Sequence, residues 1–464
     1  MSPLPRNPRQ APCSGPGFQA RESDRWMKLK AFSGGVHPPD NKEWSAHKSI
    51  EDCPLPEELV IPLSQHIGAP AKCCVAPGGR VFKGQVVGEA HGFVSVPVHA
   101  STSGEVVAVE PRLHPSGSLL PAVVIRPDDE DTWDPGLSAA DPDALSCHEI
   151  VDRIRSAGVV GMGGAAFPTH VKLSPPDEKL INTLVINGVE CEPYLTADHR
   201  LMLEETRKIV DGMRIVQKAL GTERVIVGIE ANKPDAITVM AEVCRPHGIE
   251  VVGLPVMYPQ GAEKQLIVAL VGREVPSGGL PMDIGVVVQN VGTCAAISDA
   301  VRLGRPLIER VATVTGDAVV EPKNLRIRVG TSLAHMVAFA GGSKGEVGKI
   351  IMGGPMMGAA QLSLDVPATR GTSGVLLLSE RLVDSQPEGP CIRCGRCVQA
   401  CPSRILPTSI SAYARADLMD EAEGLGAMDC IECGCCAYSC PARIPLVQAI
   451  RYAKGAILSK RRKL

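Results

Sequence analysis

The chain carries the stretch Cys391-Ile-Arg-Cys394-Gly-Arg-Cys397-Val-Gln-Ala-Cys401-Pro402, and the same spacing returns at Cys430-Ile-Glu-Cys433-Gly-Cys-Cys436-Ala-Tyr-Ser-Cys440-Pro441. Three thiolates spaced in this way can bind three corners of an iron–sulfur cube, and the cysteine before the proline completes the cube of the other repeat. The pattern therefore predicts two [4Fe–4S] clusters with crossed ligands. The first would be held by Cys391, Cys394, Cys397 and Cys440, and the second by Cys430, Cys433, Cys436 and Cys401.

Structural zinc is the alternative interpretation of these cysteines. Zinc sites seldom use this spacing twice with a trailing Cys-Pro, so we favour the clusters. Cys435 lies inside the second repeat but off its spacing, and it is interpreted as a spare thiol rather than a ligand. Crossed ligands place both clusters in one small module. Such a module would transfer single electrons and would not make or break covalent bonds of a substrate.

The composition restricts the classes of protein to which this chain can belong. Its 464 residues are enough for about two to four domains. The formal net charge of −3 and an aromatic content of 3% argue against nucleic acid as the main partner. No run of about 18 uncharged apolar residues occurs, so we expect no transmembrane segment. Nine of the 17 cysteines fall within the two repeats and no signal-type segment opens the chain, which favours a reducing, cytosolic setting.

Changes in residue pattern divide the chain into six segments of a multidomain α/β protein. The predicted segments are a disordered N-terminal segment at 1–30, a hammerhead or barrel-sandwich-like β domain at 31–130, an acidic and Pro-rich linker at 131–146, a Rossmann-like α/β domain with a mostly parallel sheet at 147–310, a small α+β module at 311–380, and a helical two-cluster ferredoxin-like module with a basic tail at 381–464.

Short β runs separated by Gly and Pro fill the N-terminal β domain. The runs Val81–Gly88 and Val96–Gly104 resemble the hammerhead of biotinyl and lipoyl carriers. No lysine lies at an obvious hairpin tip, so we interpret the domain as scaffold rather than as a swinging-arm carrier.

Helices and strands alternate from Cys147 onward, which is typical of a parallel sheet covered by helices. The predicted strands are Thr183–Asn187, Arg224–Ile229, Glu250–Leu254 and Ile284–Gln289, and the predicted helices are His148–Ala157, Asp198–Leu220, Pro234–Cys244 and Glu263–Val271.

Two loops of this domain are candidate ligand sites. The first contains Gly161, Gly163 and Gly164, with Lys172 just beyond, and backbone N–H groups of such a loop can approach a phosphate. The second is Asn187-Gly-Val-Glu190-Cys-Glu192-Pro193, which directly follows a predicted strand, at the sheet edge where α/β ligands bind. An ordinary turn and a polar loop with solvated carboxylates are the respective alternatives.

Together these motifs resemble a known family. Gly161–Thr169 with Lys172, and Asn187–Pro193, are similar to the FMN- and NADH-binding motifs of the flavoprotein subunit of respiratory complex I. Tyr258–Lys264 and Gln289–Thr293 resemble later flavin-site segments of that family. Phe32–Pro39 and Ile61–Pro70 are similar to the RnfC subunit of the Rnf electron-transport complex, whose order of domains, including a β-grasp-like (SLBB) module, also matches. The resemblance covers about residues 31–455.

The resemblance implies a peripheral electron-transfer subunit on the cytoplasmic face of a membrane complex that couples ferredoxin and NAD redox chemistry to ion transport. Its cofactors would be noncovalent FMN and the two clusters, and NAD(H) would be its substrate. Its partners would be ferredoxin and the other Rnf-type subunits. Gly161, Gly163, Gly164 and Lys172 would hold the FMN phosphate and ribityl groups, Asn187, Glu190 and Asn290 would border the flavin, and Phe167 and Glu192 would face the nicotinamide nucleotide. No residue is assigned as a general acid or base.

The sequence departs from the complex I motif at two positions of the glycine loop. Met162 stands where that motif has Arg, and Ala166 stands where it has Gly. The added methyl group of Ala166 is expected to narrow the cleft for NADH. Two other functions stay open at this point: a soluble relay that serves a proline reductase or a similar enzyme, and an iron–sulfur docking subunit with a vestigial flavin site.

Overall fold

The structure is a computed structural model that describes residues 31–383 and 385–463. Four parts follow one another along the chain: a β domain, an α/β domain, a six-stranded mixed module and a helical C-terminal module. The predicted multidomain α/β architecture is thereby confirmed. The predicted disordered segment 1–30 lies outside the described residues.

The N-terminal β domain consists of two small sheets packed around one apolar core. Its strands are β2 (Leu59–Pro62), β3 (Lys72–Cys73), β4 (Arg80–Val81), β5 (Val86–Glu89), β6 (Val98–His99), β7 (Gly104–Leu113) and β8 (Leu119–Pro127). One sheet has the order β2-β8-β7-β4 and the other β3-β5-β6. Leu59 and Ile61 of β2 are fully buried, and so are four consecutive residues of β8, at 122–125. Within the run Val96–Gly104, strand β6 begins only at Val98, because Pro97 has no N–H for a strand ladder.

Two segments near this domain connect it to other parts of the chain. Strand β1 (Ile50–Asp52) pairs in parallel with residues 324–326 of the mixed module, although the residue pattern placed it in the N-terminal domain. Three residues are too few to reveal a periodicity, so only the tertiary pairing decides their place. In the predicted linker 131–146, the ring of Trp133 lies against the cationic side chains of Lys83 and Arg305.

The α/β domain contains a four-stranded, entirely parallel sheet. Its elements are α1 (Cys147–Ser156), α2 (Thr169–Lys172), β9 (Thr183–Asn187), α3 (Ala197–Glu204), α4 (Thr206–Leu220), β10 (Arg224–Glu230), α5 (Pro234–Cys244), β11 (Glu250–Leu254), α6 (Glu263–Val271), β12 (Val286–Asn290) and α7 (Val291–Leu303). The strand order is β11-β10-β9-β12. Valine and isoleucine side chains of the strands are buried on both faces, as expected for a sheet covered by helices.

One helix of this domain that the residue pattern predicted as continuous is interrupted, so that prediction is wrong. The segment expected as Asp198–Leu220 forms two helices, α3 and α4, which are separated at Glu205. Glu205 leaves the helical backbone region, and its carboxylate pairs with Lys208 and with Arg326 of the mixed module. These tertiary ion pairs are not visible in the helical periodicity.

The mixed module is one six-stranded sheet that includes β1 of the N-terminal segment. Its further elements are β13 (Glu309–Thr315), β14 (Lys323–Arg328), α8 (Leu333–Phe339), β15 (Val347–Met352), β16 (Ala359–Gln361) and β17 (Gly374–Ser379). The strand order is β1-β14-β13-β17-β15-β16. Helix α8 covers one face, where Leu333 and Met336 are fully buried. The loop 353–358, between β15 and β16, reaches toward the α/β domain, and its contacts are described below.

The C-terminal module is helical, and each cysteine repeat forms a loop followed by a four-residue helix. Its helices are α9 (Arg396–Gln399), α10 (Pro407–Arg415), α11 (Met419–Gly424), α12 (Cys435–Tyr438) and α13 (Leu446–Lys463). The N-terminal segment 32–39 joins this module to the α/β domain: the N–H of Gly35 donates to the carbonyl of Ala400, and Val36 exchanges backbone hydrogen bonds with Tyr258. Within the described ranges, no helix has the length and apolar character needed to cross a membrane.

Candidate flavin and iron–sulfur sites

The strand order of the α/β domain creates a crevice at one edge of the sheet. Strand β9 comes first in the chain, β10 and β11 follow on one side of it, and β12 lies on the other side. Asn187 and Asn290 end the adjacent strands β9 and β12, and they pair in register. Ligands of α/β sheets bind at the carboxyl ends of strands where the order reverses in this way.

The glycine loop lies over this crevice. The N–H of Met162 donates to Oγ1 of Thr293 at 2.8 Å, and the N–H of Gly161 donates to the carbonyl of Phe167 at 2.8 Å. A Cβ atom on Gly163 would lie 3.5 Å from Cβ of Asn290. Within the part of the chain that the structure describes, the backbone N–H groups of residues 163–165 donate to no protein acceptor. Successive free N–H groups of this kind fit an anionic group such as a phosphate.

Lys172 supplies a positive charge beside the same crevice. Its Nζ atom donates to Oε1 of Glu263 at 2.6 Å and to the carbonyl of Val288 at 3.3 Å. Glu263 begins α6, so the ion pair joins the glycine-loop segment to the opposite wall of the crevice. The free N–H groups and this lysine together match the donor set that an FMN phosphate requires.

The two strand-end asparagines shape the rim of the crevice through their own hydrogen bonds. Asn187 donates to the carbonyl of Gly261 at 2.8 Å. Asn290 accepts from the N–H groups of Gly292 and Thr293 at the start of α7, and it donates to Oδ2 of Asp198 at 2.7 Å. The structure therefore brings together the predicted residues Gly163 and Asn290 directly, and Asn187 through the strand pairing.

Glu190 and Glu192, the two acidic residues of the segment Asn187–Pro193, bind other parts of the protein. Glu190, at a φ of 48°, accepts hydrogen bonds from the N–H groups of Asp198 and His199 in the first turn of α3. Glu192 accepts from the N–H groups of Met356 and Met357 at 3.0 and 2.8 Å. Burial raises the pKa of Glu192, although these two N–H groups oppose the rise. Glu192 thus holds the loop 353–358 in place.

Arg310 is a buried charged residue and Asp198 a half-buried one, and the residue pattern did not reveal either of them. Burial, with the nearby Glu190 carboxylate, raises the pKa of Asp198 to about 7. Burial also lowers the pKa of Arg310 to about 10, although the Asp198 carboxylate opposes this. Arg310 donates to the carbonyl of Met162 at 3.4 Å, so a guanidinium from the mixed module supports the glycine loop at the position where Met162 replaces an arginine. Only the tertiary fold brings residue 310 to this loop.

The second departure in the loop is also buried. Ala166 is only 8% exposed and adopts a φ of 48°. A Cβ atom on Gly371 of the mixed module would lie 3.6 Å from the Ala166 methyl group, so this methyl packs beside the neighbouring module.

Two buried lysines, which the residue pattern also did not reveal, donate hydrogen bonds to the backbone of the segment Asn187–Pro193. Lys233 is fully buried and donates to the carbonyl of Val189 at 2.7 Å. Lys42 donates to the carbonyl of Glu192 at 2.9 Å, and burial lowers its pKa. Lys233 lies between β10 and α5, and Lys42 lies in a short 3-10 helix before β1. Neither position has a distinctive sequence signature, which explains why the residue pattern did not reveal either lysine.

The four predicted ligands of the second cluster surround one apolar cavity. Cys401, Cys430, Cys433 and Cys436 line it together with Pro402, Ser403, Ile405, Pro407, Ile431, Gly434, Val447 and Ile450. The first repeat contributes Cys401 and the second repeat the other three thiols, which is the crossed arrangement that the spacing predicts. Four thiols that line one pocket supply the kind and number of ligands that an iron–sulfur cube requires.

The predicted ligands of the first cluster lie nearer to the surface. Cys391 and Cys394 are exposed, whereas Cys397 and Cys440 are partly buried. Burial raises the pKa of Cys397, and the thiolates of Cys440 and Cys394 are close enough to raise it further. The fourth cysteine of the second repeat thus lies beside the first repeat, as crossed ligation requires.

The flavin crevice and the second cluster site are joined by direct contacts. The hydroxyl of Tyr258, which is 2% exposed, donates to the carbonyl of Cys433 at 2.7 Å. Cys435, the predicted spare thiol, is fully buried beside the carbonyl of Tyr258. Tyr258 and Gly261 belong to one turn, and the carbonyl of Gly261 accepts from Asn187. This turn therefore connects the crevice to the second cysteine repeat.

Three known families match successive parts of the chain. The RnfC barrel sandwich hybrid domain matches residues 30–130, the Nuo51 FMN-binding domain matches residues 154–299, and the 4Fe-4S dicluster domain matches residues 390–444. The cofactor classes predicted from the motifs, FMN and two [4Fe–4S] clusters, are thereby confirmed at the level of domain type.

Curated proteins match over most of the length. The chain is 51% identical over 396 residues to the RnfC subunit of the proton-translocating ferredoxin:NAD(+) oxidoreductase complex of Clostridium ljungdahlii, covering 85% of this chain and 87% of that protein. It is 47% identical to the Na(+)-translocating counterpart of Acetobacterium woodii, covering 87% and 91%. The chain belongs to the RnfC family of ion-translocating oxidoreductase complexes. The predicted Rnf family is thereby confirmed.

Other relatives are longer or more distant. The RnfC-family protein of Pseudomonas aeruginosa is 45% identical, over 84% of this chain but only 51% of its own length. Among solved structures, an NAD+-reducing [NiFe]-hydrogenase in its H2-reduced state matches 67% of this chain and 62% of that chain, at 19% identity and a TM-score of 0.45.

Proposed function

We propose that this RnfC-family chain is the NAD(H)-facing electron-transfer subunit of a membrane-bound, ion-translocating ferredoxin:NAD oxidoreductase. The observation that carries the proposal is the Tyr258 turn, which contacts the flavin crevice at Asn187 and the second cluster site at Cys433. A crevice of this kind coupled to two crossed cysteine sets is suited to receive electrons in pairs and to release them singly.

The residues of the crevice hold the flavin in this proposal. The N–H groups of residues 163–165 and Nζ of Lys172 bind the FMN phosphate and ribityl groups, and Asn187 and Asn290 border the ring. Gly161, predicted to share this role, shapes the loop instead, because its N–H donates to the carbonyl of Phe167. FMN, when bound, supplies the conversion between two-electron exchange with NAD(H) and one-electron exchange with iron–sulfur clusters. The protein's own contribution is orientation and electrostatics, with no general acid or base.

The roles of the remaining predicted residues differ from one another. Phe167, half-buried at the end of the glycine loop, is kept as the contact for the nicotinamide nucleotide. Glu190 supports the site indirectly, through the first turn of α3. Glu192 can contact NADH only after the N–H groups of Met356 and Met357 release it, so we assign it to positioning the loop 353–358.

The difference in burial between the two cysteine sets determines the order of electron transfer. The set Cys401, Cys430, Cys433 and Cys436 faces the α/β domain and takes electrons first. The set Cys391, Cys394, Cys397 and Cys440 includes two exposed thiols and passes electrons to a partner. Reversal of the same path would carry electrons from the partner to NAD+.

The finer parts of the assignment complete the proposal. The six-stranded module is a β-grasp-like (SLBB) module that supports the glycine loop through Arg310. The chain binds to the other subunits of an Rnf-type complex as a peripheral subunit on the cytoplasmic side of the inner membrane. The names of the relatives, which include ferredoxin, NAD(+) and ion translocation, support the assignment to such a complex.

Anaerobic purification with quantification of iron, sulfide and FMN tests the proposal. We expect about eight irons and one flavin per chain, because each of two cubes holds four irons. NADH should then bleach flavin and cluster absorbance in a stopped-flow experiment. A colourless preparation, about four irons or fewer, or a flavin-free protein that NADH does not bleach would contradict the proposal. The last result would favour a docking subunit with a vestigial flavin site.

A further inference from the structure

The two cysteine repeats form the same local structure in different surroundings. In both repeats an isoleucine follows the first cysteine, and a glycine of left-handed φ follows the second, at Gly395 and Gly434. The position after that glycine differs, since it is Arg396 in the first repeat and Cys435 in the second. Equivalent positions therefore allow a comparison of what covers each loop.

The loop of the second repeat is covered by the rest of the protein. Ile431 packs against a cluster that contains Tyr258 and Met356. A Cβ atom on Gly434 would lie 2.9 Å from the carbonyl oxygen of Met356, and Cys435 is fully buried. This face is therefore the surface through which the second cluster site contacts the α/β domain, at Tyr258, and the mixed module, at Met356.

The same face of the first repeat is not covered by any residue that the structure describes. Ile392 is 66% exposed, and a Cβ atom on Gly395 would meet no atom within 4 Å. Arg393 and Arg396 are exposed, and neither forms an ion pair with any side chain in the ranges 31–383 and 385–463. An exposed isoleucine followed by two unpaired arginines, in a loop with two exposed cluster thiols, is a surface with the composition of a docking site.

Charge distinguishes the two faces further. The residue equivalent to Arg393 is Glu432, whose carboxylate is neutralised by Arg451 at 2.7 Å and Lys454 at 2.6 Å within the same module. The first repeat has an arginine there and no neutralising partner in the described part of the chain. The uncovered face of the first repeat is thus positively charged where the covered face is internally balanced.

We propose that the face formed by Ile392, Arg393, Gly395 and Arg396 docks an acidic one-electron carrier protein, in the way that the equivalent face of the second repeat docks the flavin domain. The proposal rests on the proposed relay function, and it adds where the external carrier binds and by which chemistry. Arginines around an exposed redox centre attract an acidic carrier over a Debye length and fix its orientation.

Binding of an oxidised carrier tests the docking face without requiring electron flow. The probe is an immobilised acidic two-cluster bacterial ferredoxin, and the analyte is the anaerobic holoprotein. The double variant Arg393→Glu/Arg396→Glu should raise Kd at least about tenfold at low ionic strength, and high salt should remove the difference. The milder variant Arg396→Gln should give a smaller change in the same direction. Iron content and NADH bleaching should equal those of the wild type.

A matched charge reversal separates docking from net charge. Arg245 and Lys344 are exposed on other parts of the chain, so Arg245→Glu/Lys344→Glu changes the net charge equally. The proposal is overturned if this control weakens binding as much as the docking-face variant does. It is also overturned if the wild type binds anionic lipid vesicles through these arginines and does not bind the ferredoxin. If NADH does not bleach the wild type, the proposed relay function is contradicted. The binding measurements still test the docking face independently of that result.

Discussion

Adding a methyl group to the two equivalent glycines of the cysteine repeats should have unequal effects. Gly434 and Gly395 have φ values of 83° and 73°, so alanine at either position takes on left-handed strain of about 1 kcal/mol. Only at Gly434 does the added Cβ meet a backbone atom, the carbonyl oxygen of Met356 at 2.9 Å. Gly434→Ala must therefore push the loop 353–358 away from the second repeat.

The magnitude follows from these two terms. Overpacking in a close contact costs about 1–3 kcal/mol in addition to backbone strain. Gly434→Ala should thus destabilise the protein by about 2–4 kcal/mol and Gly395→Ala by about 1 kcal/mol. For cooperative unfolding of a chain of this size, the difference of about 1–3 kcal/mol corresponds to about 1–3 °C in Tm.

Thermal denaturation of the anaerobic holoprotein measures the difference. Cluster absorbance reports the loss of iron, and flavin fluorescence reports opening of the α/β domain. In Gly434→Ala both signals should change at a lower temperature than in Gly395→Ala. Equal shifts for the two variants would refute the reasoning, because they would mean that the contact between Gly434 and Met356 contributes nothing to stability.

Three further perturbations test other parts of the structure. In a fluorescence titration, Lys172→Ala should weaken FMN binding by about 10–100-fold, as expected for a lost charge-assisted hydrogen bond. In the same titration, the affinity for riboflavin, which lacks the phosphate, should equal that of the wild type. Burial raises the pKa of Asp198 from 3.8 to about 7, so the folded chain retains a proton that the unfolded chain releases. The free energy of unfolding should therefore fall as pH rises from about 4 to 7. In flavin-free melting curves, Asp198→Asn should make this decrease smaller. Equal dependence of Tm on pH in the wild type and the variant would contradict the burial of Asp198. Gly212→Ala would place Cβ 1.8 Å from the Cys294 carbonyl oxygen and force α4 and α7 apart. It should lower Tm strongly, whereas Gly455→Ala, with nothing within 4 Å, should not.

Much of the α/β domain follows from local sequence. Strands Thr183–Asn187 and Glu250–Leu254 and helices Pro234–Cys244 and Glu263–Val271 lie where hydrophobic periodicity places them. Strand β1 and the break at Glu205 could not be predicted, because each depends on partners more than a hundred residues away in the chain. Local patterns carry no information about such partners.

The candidate sites divide in the same way. Cysteine spacing is local chemistry, so the repeats alone indicated two crossed sets of thiols. No motif predicts the contacts of the buried charged residues Arg310, Lys233 and Lys42. Nor does a motif predict that Glu192 accepts hydrogen bonds from the loop 353–358. Each of these contacts joins separate parts of the fold.

The sequence by itself determined the types of cofactor and the family, because ligand spacing and loop composition are properties of short segments. The tertiary structure alone decided which cluster site faces the flavin crevice and which faces outward. Two loops of equal cysteine spacing were distinguished only when folding placed Tyr258 and Met356 against one repeat and left the other exposed. Burial and charge pairing arise from the packing of distant segments, and they assign different partners to the two repeats.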